Sequence, residues 1–101
     1  MKPMTPLVIA GMLSVAAVSA HAQVNQIRVW AAACATCHGT EGRAVPGMVA
    51  LAGLDKSAIE QQMLDFKYGR RPATLMHQIA KGYTDEQIAD IAAYFAAQRP
   101  Q

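Results

Sequence analysis

Cys34 and Cys37 stand three positions apart, and the imidazole of His38 follows at once. This arrangement suits covalent haem attachment: each thiol adds to one of the two haem vinyl groups, and the histidine binds the iron. Other uses of a Cys-Ala-Thr-Cys pair need residues that the chain lacks. A structural zinc site takes four ligands, usually with a second Cys/His pair. Here the only other histidines are His21 and His77, and there is no third cysteine. A thioredoxin-like redox pair belongs to a βαβ pattern, and no such pattern occurs. The expected cofactor is therefore haem c, one and covalent, because the signature appears once.

The group bound opposite His38 decides the class of chemistry. A five-coordinate iron suits an enzyme or a gas binder, whereas a six-coordinate iron suits an electron carrier. The candidates are Met48, Met63, Met76 and His77. Met63 falls on the apolar stripe of a helix and reads equally as core filler. Met48 is near His38 in sequence, but ten extended residues reach up to about 35 Å, so distance does not dismiss it. Met76 follows a proline-containing loop and opens a short helix, from which a long thioether can reach inward. His77 diverges from Met76 on that helix and is expected to face solvent. The outer nitrogen of a metal-bound imidazole almost always donates to a carbonyl or carboxylate. The backbone carbonyl of Pro46 is the candidate acceptor, against the plainer reading that Pro46 only stiffens a turn.

Helices must position these groups. From Val24 to about Cys37, Ile27, Trp30, Ala31 and Cys34 follow the spacing of one buried face, with Asn25 as a possible cap and Gly39 ending the run. Residues 39–47 hold three glycines and a proline and read as loop; Met48, Val49 and Leu51 follow as an apolar segment able to line the haem. A second helix is expected from the cap Asp55 to roughly Tyr68, with Ser57 and Glu60 as an alternative capping box. Its buried stripe is Ile59, Met63 and Phe66, and Gly69 stops it. Residues 73–81 predict a short helix ended by Gly82. A last helix starts after the Thr84/Gln87 capping box and runs to about Arg99 before Pro100, with Ile88, Ile91, Ala92 and Phe95 on its apolar face. Its alanines would permit close approach to the first helix.

The first residues read as an address. Lys2 supplies a positive start, Leu7 to Val18 form an apolar run, and Ala20-His21-Ala22 is a small-x-small cleavage site, so residues 1–22 are expected to be a signal peptide cut after Ala22. The run is shorter than the ~20 residues a membrane span needs, which predicts no permanent membrane anchor, and the leader has no cysteine for a lipid. Export suits haem attachment, and the expected location is a bacterial periplasm. Residues 23–101 then form one domain of 79 residues, a size at which an apolar core alone gives about 3–5 kcal/mol and a staple is expected. Haem is that staple, and the chain without it is expected to be largely unfolded. Eight Lys/Arg against seven Asp/Glu remain, a balance that points to no nucleic-acid role.

Four stretches together carry a family resemblance: Cys34-Ala35-Thr36-Cys37-His38-Gly39, Ala73-Thr74-Leu75-Met76, Ile79-Ala80-Lys81-Gly82-Tyr83 and Ile91-Ala92-Ala93-Tyr94-Phe95. They resemble class I c-type cytochromes, most of all the cytochrome subunit of flavocytochrome c sulfide dehydrogenase. The resemblance implies an all-α fold of about four helices wrapped round one haem, with crossed first and last helices. It also implies iron held by His38 and Met76, and electrons received from a FAD-containing subunit that oxidises sulfide. Some members carry two haem domains, so a freely diffusing carrier like the c4 and c553 cytochromes is the alternative. An open-site haem enzyme or gas sensor is disfavoured because no distal His/Arg pair can be assigned. The expectation is an electron-transfer protein that is not itself a catalyst, with Lys67, Arg70 and Arg71 forming a partner-docking patch beside the haem edge.

Overall fold

A computed structural model describes residues 25–100, and the leader and its cleavage site lie outside them. Among the described residues there are helices and turns and no strand. Helix α1 covers 25–38 of the described chain, one residue beyond the expected end. A 3-10 turn, Thr40–Gly42, follows directly. Then come α2 (Lys56–Lys67), α3 (Met76–Ala80) and α4 (Asp85–Ala96). None of the described helices is long and apolar enough to cross a membrane.

The core sits where α2 packs against α3 and α4 and where α1 adds Ala31. Ile88, Ile91, Ala92 and Phe95 of α4 are buried, as their spacing predicts, and Ile59 and Met63 of α2 meet them. Phe66 is only half-buried because it faces a cavity as well as the core. Trp30 packs on the core and does not line the cavity. The Thr84/Gln87 capping box is present in both halves: Gln87 N–H donates to the Thr84 hydroxyl at 3.1 Å, and Thr84 N–H donates to Gln87 Oε1 at 2.9 Å. Asp55 holds the cap position of α2, but its carboxylate takes the Ser57 hydroxyl instead of a cap backbone N–H.

Two helices are shorter than expected, for local reasons. Pro72 and the residue before it favour extended backbone, and the first carbonyl to accept from the next turn is that of Leu75, which receives Gln78 and Ile79. Helix α3 thus begins at Met76, three residues late. Helix α4 ends at Ala96, because the Phe95 carbonyl accepts from both Gln98 and Gly53 and is drawn toward the loop. The Gln98 side chain takes the Tyr94 carbonyl at 2.9 Å.

The segment between α1 and α2 is stitched to this scaffold at two places. Gly42 O accepts from Leu51 N at 2.8 Å and Ala52 N at 3.2 Å, while Gly53 N reaches Phe95 O at 2.9 Å. Arg43 Nε adds a bond to Arg99 O at 3.1 Å. Residues 43–50 are therefore a closed excursion whose ends are fixed. Glycine is required where the excursion leaves α1. Gly39 has φ 86°, and a Cβ there would lie 2.0 Å from the Arg43 carbonyl oxygen.

Candidate haem site

Because α1 stays helical through 38, Cys34, Cys37 and His38 fall at i, i+3 and i+4 and share one helix face. That face opens on a cavity of about 670 Å³. Gly47, Met48, Val49 and Leu51 form one wall, Ile59, Met63 and Phe66 of α2 another, and Arg71 to Met76 a third. Both cysteines are free thiols, with Cys34 half-buried and Cys37 exposed. Burial pushes the Cys34 thiol above the usual range, only partly offset by its own backbone hydrogen bond. Tyr83 is also raised, first by burial and then by Cys34.

Nδ1 of His38 lies 2.7 Å from the Val49 carbonyl oxygen. A carbonyl only accepts, so Nδ1 is the donor, and in the neutral imidazole Nε2 is then the nitrogen with the lone pair. This is the tautomer that a metal-binding imidazole needs, with the outer N–H anchored to backbone. The expected acceptor, Pro46, is corrected to Val49. Pro46 and Gly47 are the corner of a turn closed by Met48 N to Val45 O at 3.2 Å, with Gly47 at φ 95°. Proline followed by a positive-φ glycine is the signature of a type II turn, and the turn delivers Val49 back to His38. Pro46 thus stiffens the turn, and the acceptor comes three residues later.

All three methionines on the described chain line the cavity. Met63 is 7% exposed, Met76 half-buried and Met48 44% exposed. His77 does not line it. The expectation that His77 faces solvent is also corrected: its Nδ1 is buried with no hydrogen-bond partner, because α3 is a single short turn pressed against α2.

The expected docking trio does not form one cationic patch. Lys67 Nζ is 2.6 Å from Asp85 Oδ1, and Arg70 Nε is 2.9 Å from Asp65 Oδ1. Those carboxyls sit below the usual range, Asp85 through its bonds from Lys67 and Tyr68, Asp65 through those from Arg70 and Gln61. Arg71 alone of the three turns to the cavity. The missed signal was the sequence of opposite charges at Asp65 and Asp85, which helix ends bring beside the cations.

A mostly apolar cavity that presents two thiols at i and i+3, an imidazole anchored through Nδ1 and thioethers fits a covalently held haem. The family described as cytochrome c oxidase, cbb3-type, subunit III matches residues 25–95. The chain belongs to this family of c-type cytochromes. Haem c, covalently bound, is the cofactor of such domains. The chain is 45% identical over 62 residues to the cytochrome subunit of sulfide dehydrogenase of Chlorobaculum tepidum, an alignment covering 61% of this chain and 56% of that protein. It is 39% identical to cytochrome c-554(548) of Halomonas halodenitrificans, covering 64% of this chain and 83% of the relative. Among solved structures, cytochrome c4 of Acidithiobacillus ferrooxidans matches with a TM-score of 0.61 and 42% identity, covering 63% of this chain and 38% of that one. The match thus spans little more than half of the sulfide dehydrogenase subunit.

Proposed function

We propose that this domain is a periplasmic single-haem electron carrier, with haem attached at Cys34 and Cys37 and iron held by His38 and Met76, that accepts electrons from a FAD-containing sulfide dehydrogenase. The observation that carries the reading is the His38 to Val49 hydrogen bond, which occupies Nδ1 and leaves Nε2 as the nitrogen available to iron, on the same helix face as both thiols. When bound, the haem supplies a one-electron couple at its iron. His38 is held in one tautomer by Val49, so no proton need move at that imidazole when the electron arrives. Met48 adjoins Val49, so it belongs to the wall that serves His38. Met63 is packed into the core. Met76 remains as the ligand from the other wall, and a thioether there favours the ferrous state and raises the potential relative to a second nitrogen. The apolar walls limit water access.

The sulfide reading is supported by the likeness to the Chlorobaculum subunit, and a freely diffusing carrier is the second reading, supported by the likeness to cytochrome c4. Mixing ferric holoprotein with sulfide, with and without the flavoprotein co-purified from the native periplasm, separates the two. Fast haem reduction only with the flavoprotein is expected. No co-purifying flavoprotein, and no acceleration by one, contradicts the sulfide reading and leaves the free carrier. Carbon monoxide binding to untreated ferrous protein would contradict both.

A further inference from the structure

Lys67, Arg70 and Arg71 lie close in sequence, yet the structure gives them different surroundings. Lys67 is bound to Asp85 and Arg70 to Asp65. Arg71 instead holds its guanidinium carbon 5.5 Å from the centre of the Phe66 ring, and both side chains line the cavity. Among the described residues, Arg71 is the only Lys or Arg on the cavity wall, and no Asp or Glu lines it. Haem brings two propionate carboxylates to a cavity of this composition. Each must be left in water or met by a donor, because an unpaired charge against an apolar wall is costly.

We propose that Arg71 binds a haem propionate, with Gln62 and Thr74 as the neutral hydrogen-bonding side chains at the same edge. This rests on the haem reading of the cavity. The chemistry of the side chain fits the role. A guanidinium presents its N–H groups in a planar fork that meets both oxygens of a carboxylate. Stacking on Phe66 holds that fork over an aromatic face, so less side-chain freedom is lost when it binds. Pro72 restricts the backbone on its far side. Gln62 and Phe66 are one turn apart on α2, so the amide and the ring that supports Arg71 share a face. The same loop reaches Met76 five residues after Arg71, which ties the propionate edge to the segment carrying the proposed iron ligand.

The charged group that feels Arg71 is Asp65 of α2, through space. Asp65 already has Arg70 and Gln61 as partners. The test is to prepare holoprotein with Arg71→Gln, Arg71→Lys and Arg70→Gln, and to measure two properties of each. One is the midpoint potential; the other is the propionate's apparent pKa, followed through its own methylene proton resonances. Removing a cation beside a carboxylate raises the carboxyl pKa, here by about one unit. The same removal lowers the potential, since a nearby positive charge favours the less positive ferrous iron. Arg71→Gln is expected to show both effects, Arg71→Lys to recover most of each, and Arg70→Gln to match the native protein.

Equal values for Arg71→Gln and the native protein would overturn the proposal. So would a change confined to a salt-dependent rate with a redox partner, which would make Arg71 a docking residue. Met76→Ala separates this from failure of the underlying reading. If Met76→Ala alters the haem spectrum while Arg71→Gln changes neither quantity, only the propionate assignment fails. If the haem spectrum is indifferent to Met76, the site itself is misassigned.

Discussion

At the scale of single residues, the haem-binding motif is legible because covalent chemistry demands fixed types at fixed spacing. Cys34, Cys37 and His38 could be read without any fold. The acceptor for His38 could not, because backbone carbonyls carry no sequence mark and only the Val45 to Met48 turn shows which one returns. Gly39 is the residue on which that turn-back most depends. Its φ of 86° and the 2.0 Å approach of a Cβ to Arg43 O mean that any side chain there meets backbone that cannot move aside cheaply. Gly39→Ala is expected to destabilise the holoprotein by about 2 kcal/mol or more, from the left-handed conformation and the clash together. Thermal unfolding of purified holoprotein measures it. A Tm within a degree of the native protein would contradict the role given to Gly39.

At the scale of elements, caps and apolar stripes were readable, and the helix ends decided by tertiary bonds were not. Thr84 and Gln87 announce the start of α4 because the box is local in sequence. The early end of α4 depends on Gly53, forty-two residues before Phe95, and so leaves no local trace. A related long-range contact closes the segment between α2 and α4. The Tyr68 hydroxyl lies 2.8 Å from each Asp85 carboxylate oxygen, and Lys67 Nζ 2.6 Å from Oδ1. Asp85 is depressed by its bonds from Lys67 and then Tyr68. Its contribution is therefore complete above the unfolded value of about 3.9 and is lost as pH falls through the lower folded value. Lys67 is raised by Asp85, so its share is present below about 10.4 and is lost as pH rises through the folded value. The clamp stays closed across neutral pH and opens in acid. Asp85→Asn is expected to be less stable than the native protein at pH 7 and to converge with it in acid, once the pH has fallen through the lowered folded value of Asp85. Denaturant midpoints across pH 2 to 7 provide the check, and two parallel curves would contradict the clamp.

At the scale of the whole molecule, protein-on-protein packing is thin. Of the ten buried apolar residues among those described, five are alanines: Ala31, Ala44, Ala52, Ala80 and Ala92. Larger side chains such as Leu51, Phe66 and Met76 touch this core on one side and face the cavity on the other, so a haem filling the cavity completes their burial. The all-helical class and the helix order were legible from periodicity. One cavity wall was legible too, since Met48, Val49 and Leu51 line it as expected; the choice among Met48, Met63 and Met76 was not, because all three reach the cavity. Cys34→Ala with Cys37→Ala is expected to leave a colourless chain lacking the cooperative unfolding and far-UV helix signal of the holoprotein. A stable, folded, colourless protein would contradict the account of the core. The central claim, a six-coordinate iron between His38 and Met76, is tested most directly by the sulfur-to-iron charge-transfer band of the ferric holoprotein. The band is expected in the native protein and in Met48→Ala and Met63→Leu, and to vanish in Met76→Ala, which should then bind imidazole readily. A band that survives in Met76→Ala and is lost in Met48→Ala or Met63→Leu would contradict it.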